Sequence, residues 1–308
     1  MFHYRAYQIN FASDIEFPGI APTDDDLTLP TVTIRRGEVP EFLDSQQDNN
    51  SYYQVEPHRI LLRIDGVARY LITHGREITV APAREVHAET VLLFLLGSAM
   101  GALLYQRDLF PLHGSAVETP WGAMVFVGPQ GIGKSTLAAH FQRRGYRILS
   151  DDVCVLARDG SDHLQVLPAF PKLRLCPDAL ERLGKSTENL PRARFDGDKF
   201  VVPVSTGHCP RPVSLGTIHL LSTSEDPQVT VRPFSGFLRI DHLLANLYRP
   251  EYLHGLASEA NILRLAFSIT RQTGIVEIAH NRDPDRIEEL IDRLEREWLH
   301  CSSTGHYD

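Results

Sequence analysis

The sequence predicts an α/β fold: a β-rich N-terminal region over residues 1–85, a larger domain over residues 86–300 with a mixed sheet and a glycine-rich loop, and a flexible tail over residues 301–308. Three observations carry this expectation. Residues 1–85 hold short apolar runs separated by turn signals, the pattern of strands. Residues 91–104 form one apolar run of helical length. Residues 123–141 read as an apolar strand, a loop matching G-x-x-x-x-G-K-S and a helix-prone segment, in that order.

Composition narrows the classes. A chain of 308 residues is long enough for one large or two ordinary domains with a real core. A net charge of −8 argues against a nucleic-acid partner. The four cysteines are scattered with no C-x-x-C pair, so neither a zinc site nor a disulfide framework is expected, and a reducing cytoplasm is the default location. Residues 1–5 show no basic-then-apolar targeting pattern. The apolar run at 91–104 is short for a bilayer and reads as a core helix, so no membrane span is expected. An oligomer is compatible with all of this.

In chain order, residues 4–11 and 31–35 read as strands. Ile60, Leu62 and Ile64 alternate on one face, Asp65-Gly66 turns the chain, and residues 67–73 return as a hairpin. Residues 77–80 add a further strand, and the polar stretch 43–51 reads as a loop. This region carries no catalytic constellation; docking, dimerisation or support are its natural jobs. After the helix at 86–106, residues 109–117 and 123–127 form a hairpin around Thr119-Pro120-Trp121-Gly122, and its second strand enters the glycine-rich loop. The following helix is expected to stop near Arg144-Gly145, with Gly145 in the position past the helix end that favours glycine. Strands follow at 146–149, 153–156, 164–167, 213–222, 228–234 and 275–279. Helices are expected at 177–184, 238–247, 261–272 and 283–299, the last with Ile287, Leu290, Ile291, Leu294 and Trp298 on one stripe.

The loop has a specific chemistry. Phosphate oxygens need several donors aimed at one point, and consecutive backbone N–H groups in a tight loop supply them. Gly128, Gly131 and Gly133 let the backbone turn without a side chain in the way, and Gln130 and Ile132 complete the cradle. The helix beginning near Lys134 adds its unpaired N–H groups, those of Ser135 and Thr136 included, and its positive dipole end. Lys134 can reach the β- and γ-phosphates, and the Ser135 hydroxyl is placed to ligate Mg2+. A nucleotide, ATP with Mg2+, is the implied cofactor. The second chemical feature is Asp151-Asp152. In a regular strand neighbouring residues point to opposite faces, so only one of the two faces the phosphates unless a bulge or strand end brings both round. One carboxylate, with Asp151 the candidate, would serve the metal beside Ser135, and the other the incoming hydroxyl. Arg174, Lys199 and Arg249 are candidate phosphate or substrate contacts; Arg174 and Lys199 sit among apolar neighbours, whereas Arg249 is equally a helix-end charge.

His113-Gly114, the loop at 128–135, Arg144-Gly145-Tyr146 and Asp151-Asp152 together resemble the catalytic domain of HPr kinase/phosphorylase, a fold akin to ATP-dependent phosphoenolpyruvate carboxykinase. The likeness is strongest over 109–160. Tyr4-Arg5-Ala6-Tyr7 and Ala12-Ser13-Asp14-Ile15 also resemble the start of HPr-kinase-like proteins of peptide-maturation clusters, some of which are lasso-peptide kinases. The resemblance implies that Lys134 and Ser135 hold phosphates and Mg2+, that Asp151 or Asp152 is the general base for a serine hydroxyl, and that His113 lies near the nucleotide. Residues 1–85 do not look like the regulatory domain of true HPr kinases, and no match is identified to the later segment that shapes the kinase/phosphorylase reaction and contacts the partner protein there. The implied function is a kinase for a serine or threonine hydroxyl of a peptide or protein. The alternatives are a carboxykinase-like small-molecule kinase and a non-catalytic ATP-gated regulator.

Overall fold

The computed structural model describes residues 1–44, 52–193, 198–226, 228–281, 283 and 286–304. The chain opens with strands β1 (Phe2–Ala6), β2 (Ile9–Ser13), β3 (Thr31–Arg36), β4 (Tyr53–Glu56), β5 (Arg59–Ile64), β6 (Ala68–Thr73) and β7 (Glu77–Pro82). They make one mixed sheet in the order β1-β2-β3-β7-β6-β5-β4. The expected hairpin at Asp65-Gly66 is present, with Leu62 opposite Tyr70. The single strand expected over 4–11 is instead two strands, because Tyr7 and Gln8 both adopt left-handed backbone (φ 55° and 58°) and turn the chain back. Of the polar stretch 43–51, residues 45–51 lie outside the described residues, as do Arg194 and the tail beyond Thr304.

A long apolar segment follows: α1 (Ala88–Phe94), a π-helical turn (Leu95–Ala99) and α2 (Met100–Tyr105). By length and composition this segment could cross a membrane, yet 61% of it is buried inside the protein. Its side chains Leu95, Met100 and Leu103 join Tyr4, Phe11 and Ile34 of the first sheet and Phe110, Val155 and Phe170 further on in one hydrophobic core. The two regions therefore bury their apolar faces against each other rather than separately.

The remaining elements are β8 (Phe110–Thr119), β9 (Gly122–Val127), α3 (Lys134–Arg143), β10 (Arg147–Ser150), β11 (Val153–Arg158), β12 (Leu164–Leu167), β13 (Lys172–Leu175), α4 (Pro177–Arg182), β14 (Phe200–Pro203), β15 (Val213–Thr223), β16 (Thr230–Pro233), α5 (Leu238–Ala245), α6 (Glu259–Gln272), β17 (Gly274–His280) and α7 (Ile287–Thr304). β8 and β9 form the expected hairpin. β9 also runs parallel to β15, and β15 parallel to β17, so the second sheet is mixed as well. β8 changes partner midway. Its first half pairs with β11 and its second with β9 and β10. The change falls at Gly114, where a Cβ would lie 2.6 Å from the Phe126 carbonyl oxygen, so no side chain fits. β4 and β14 have no clear signal in the sequence, and α7 runs on to Thr304 instead of stopping at 299.

A second core lies between α3 and α7, where the rings of Phe126, Phe141 and Trp298 stack at centroid distances of 5.6 and 5.1 Å. Trp298 is 1% exposed. Trp298→Ala is expected to cost about 3–5 kcal/mol of stability through lost contacts and a cavity. Urea unfolding followed by circular dichroism measures it, and a loss below ~1 kcal/mol would show that this packing is dispensable.

Candidate active site

β9 ends at Val127 and α3 starts at Lys134, so the glycine-rich loop joins the edge of a buried strand to a helix N-terminus. Gly128 has φ 139°, and a Cβ there would sit 2.6 Å from the Leu221 carbonyl on β15. Gly131 and Gly133 are left-handed at φ 80° and 105°. Lys134 folds back over the loop, its Nζ donating to the carbonyls of Gly128 (2.7 Å) and Pro129 (3.0 Å). Burial and the neighbouring Lys199 lower its pKa to about 8 against the opposing pull of Asp151 and Asp152. The Ile132 side chain is buried in the core between α3 and α7, and its N–H donates to the Pro129 carbonyl at 3.3 Å. It holds the loop from below and does not line the cleft.

Asp151 and Asp152 occupy the break between β10 and β11. Asp152 is left-handed at φ 71°, so strand alternation stops and both carboxylates turn to the same neighbourhood. Asp151 is 6% exposed. Its two oxygens accept from the Ser115 hydroxyl (2.6 Å) and the Arg174 backbone N–H (2.7 Å). Asp152 accepts from Arg174 Nη1 at 2.6 Å and has His113 Nδ1 at 3.8 Å. Nδ1 of His113 also lies 3.2 Å from the Asp152 carbonyl, which makes it the protonated nitrogen and the donor. Burial alone would raise the Asp152 pKa. Arg174, His113, Lys172 and Lys199 outweigh that and hold it below the usual carboxylate range. Burial and Lys134 push His113 below the ordinary imidazole value, against the pull of Asp152.

One cleft of about 1190 Å³ joins these groups. It is lined by Gly128, Gln130, Gly131, Gly133, Lys134, Ser135 and Thr136, by His113, Asp152 and Arg174, and by Lys199 and Arg249. The candidates read from sequence therefore converge, with Ile132 and Asp151 set back from the opening. Arg249 is left-handed (φ 56°) and lies 3.6 Å from Glu251. Among the described residues, no three His, Cys, Asp or Glu side chains are grouped to hold a metal. The donor set does fit Mg2+ that arrives with phosphates, which needs only one or two protein oxygens such as the Ser135 hydroxyl and one carboxylate.

Four participants escaped the sequence reading. Ser115 anchors Asp151. Lys172 belongs to the same charged cluster; burial, with Arg174, lowers its pKa to about 7. Tyr248 sits with its ring 6.0 Å from that of His113. Tyr7 comes from the N-terminal hairpin: it is 4% exposed, its N–H donates to the Pro168 carbonyl (2.6 Å), and its hydroxyl reaches the Val153 carbonyl at 3.5 Å. The turn between β1 and β2 thus packs beside the acidic pair through Tyr7. Tyr7→Ala is expected to cost about 3–5 kcal/mol by emptying that position. Thermal unfolding checks it, and an unchanged Tm would mean that the hairpin only rests on the site.

The class defined by fold and site is a mixed α/β protein in which a strand, glycine loop and helix share one cleft with an aspartate and a partly buried arginine. Comparison with known proteins places weak homology on it. No family model matches the chain. It is 32% identical over 78 residues to the HPr kinase/phosphorylase of Prosthecochloris aestuarii, covering 25% of this chain and 22% of that protein. It is 29% identical over 94 residues to that of Chloroherpeton thalassium, covering 30% of this chain and 27% of that protein. The aligned stretches thus span about a quarter of these relatives. Among solved structures, the Hpr(Ser) kinase/phosphatase from Coxiella burnetii aligns over 61% of this chain and 98% of its own, with a TM-score of 0.34 and 14% identity.

Proposed function

We propose that the protein is an ATP- and Mg2+-dependent kinase that transfers the γ-phosphoryl group to a serine or threonine hydroxyl of a peptide or protein, a lasso-peptide precursor being one candidate acceptor. The observation that carries this reading is the shared cleft: residues of the loop at 128–136 line it together with Asp152, Arg174 and His113. A phosphate-binding loop with no carboxylate would serve binding alone; a carboxylate within the same cleft gives the acceptor's proton a destination.

The backbone donors of the loop and Lys134 bind and orient the phosphates. Ser135 and an aspartate oxygen would hold Mg2+, which when bound offsets charge on the β- and γ-phosphates. Asp152 is ionised at neutral pH and faces the cleft, so it accepts the hydroxyl proton. Asp151, tied down by Ser115 and the Arg174 backbone, keeps the turn in place. Arg174 fixes the Asp152 carboxylate and keeps it charged.

The test is mass spectrometry of candidate peptides incubated with the protein, ATP and Mg2+, with Asp152→Asn as the control. Phosphate gained on a peptide hydroxyl and absent in the control supports the kinase. ATP binding without transfer to any peptide would sink it and favour a metabolite acceptor or an ATP-gated regulator. Gly128→Ala supplies a further check. The new Cβ would meet the Leu221 carbonyl at 2.6 Å in a backbone region that alanine resists, so ATP affinity is expected to fall at least about tenfold by titration calorimetry. Unchanged affinity would remove the loop from the nucleotide site.

A further inference from the structure

The cleft has a second wall that the nucleotide chemistry does not use. It is built by Leu93, Phe94, Gly97 and Ser98 of the long apolar segment and by Tyr248, Arg249 and Glu251. Leu93 is half-buried and lines the cleft, while its neighbours Leu92 and Leu95 are buried in the core. The helix is interrupted here by the π turn Leu95–Ala99, a distortion that recurs where helices serve a site. Gly97 and Gly101 have a structural reason to be glycine. A Cβ on either would come within 3.1 Å of the Tyr248 ring or hydroxyl, so Tyr248 lies directly across the helix backbone. That ring is 6.0 Å from His113, and its hydroxyl pKa is raised by burial and by the charge of Asp152. The wall therefore adjoins the carboxylate that faces the cleft.

The geometry points to this wall as the acceptor subsite: we propose that it binds a peptide segment in which the hydroxyl-bearing residue is flanked by an apolar side chain seated on Leu93 and Phe94. This rests on the kinase reading. The phosphates take the loop, so a hydroxyl that comes within hydrogen-bond reach of Asp152 brings its flanking residues against the remaining lining, which includes Tyr248 and the π turn. A small polar metabolite would gain nothing from Leu93 and Phe94, and an apolar side chain removed from water there gains ~25 cal/mol per Å². Arg249 and Glu251 at the rim leave the mouth polar, as at peptide-binding sites where an apolar centre is ringed by charge.

The probes are two synthetic peptides with one central serine, flanked by leucine in one and by glycine in the other. Their affinities are measured by fluorescence polarisation with ATP present but Mg2+ withheld, for the wild type, Leu93→Asp and Leu93→Ala. The leucine-flanked peptide is expected to bind about tenfold or more tightly than the glycine-flanked one. Leu93→Asp should erase that preference and Leu93→Ala should reduce it, with ATP affinity unchanged in both. Because Leu93 is only half-buried, both variants are expected to keep the wild-type melting temperature. Equal binding of the two peptides, or binding of neither, overturns the subsite. A fall in ATP affinity in the Leu93 variants also overturns it, by giving the wall to the nucleotide base. Leucine-selective binding without phosphoryl transfer once Mg2+ is added would keep the subsite and refute the kinase, so the two readings fail separately.

Discussion

Replacing Lys134 with alanine is expected to lower phosphoryl transfer by ~10²-fold or more, the range seen when one preorganised charge donor to a transition state is removed. Lys134 is 7% exposed and its Nζ is held over the loop by the Gly128 and Pro129 carbonyls. The cation is therefore placed before the nucleotide arrives and little ordering remains to be done. Arginine is not expected to rescue the activity, because its planar fork does not fit a point bound by two carbonyls 2.7 and 3.0 Å away. The pH dependence has a definite sign. Lys134 titrates at about 8, against 10.5 in an unperturbed chain, so the charge that holds phosphate is present below about 8 and lost above it. ATP affinity should thus weaken as pH rises from 7 to 9 in the wild type and stay flat in Lys134→Ala. The free protein should move the other way. The unfolded lysine keeps its proton to about 10.5, so this group makes folding more favourable as pH climbs from about 8 to 10.5. Calorimetric titration of ATP at several pH values checks the first trend and thermal melts the second. Near-normal turnover in Lys134→Ala would remove this lysine from the phosphate site.

Much of this arrangement was legible because its signals are local. The run of residues 123–136 reads as strand, loop and helix without any knowledge of what lies beside it, and the glycines at 128, 131 and 133 have the positive φ that their residue type predicts. Gly145, at φ 96°, ends α3 as expected. Periodicity also placed α6, β17 and the α7 stripe, since one-sided burial leaves a mark on sequence. The misses are all non-local. Tyr7-Gln8 makes a tight turn with none of the Asn-Gly or Asp-Gly chemistry that announces one. The left-handed cost at Tyr7 is offset by its burial against Phe170, which lies far along the chain. Ser115 and Lys172 look like ordinary strand residues until the fold brings β8, the Asp151-Asp152 turn and β13, which belongs to a separate two-stranded sheet, together. Ile132 is placed by packing that the loop motif does not encode. The loop motif predicts a backbone cradle, and nothing in it says that this side chain turns down into the second core.

The aspartates give the widest expected contrast between neighbouring residues. Asp152→Asn is expected to lower kcat by about 10²–10⁴-fold, the usual contribution of a positioned general base. The amide keeps the shape, and its oxygen still accepts from Arg174 Nη1, so the KM for peptide should change little, while loss of the ion pair lowers the melting temperature. The pH profile separates loss of a base from loss of structure. Arg174, His113, Lys172 and Lys199 hold the Asp152 pKa below the ordinary carboxylate range, so the wild-type rate should not fall off on the acid side until well below neutral pH. Asp152→Asn should instead show a small residual rate that climbs with pH, as hydroxide substitutes for the lost carboxylate. Asp151→Ala should behave differently. Both Asp151 oxygens are committed, so removing the carboxylate leaves the Ser115 hydroxyl and the Arg174 N–H without their acceptor. An unsatisfied buried donor costs about 1–3 kcal/mol, so Asp151→Ala should lower the melting temperature as well as the rate. Ser115→Ala should reproduce part of that stability loss and leave the acid side of the pH profile as it was. If Asp151→Asn shows the residual rate that climbs with pH and Asp152→Asn keeps the wild-type profile, the positions hold the reverse roles, and Asp151 is the group that takes the proton.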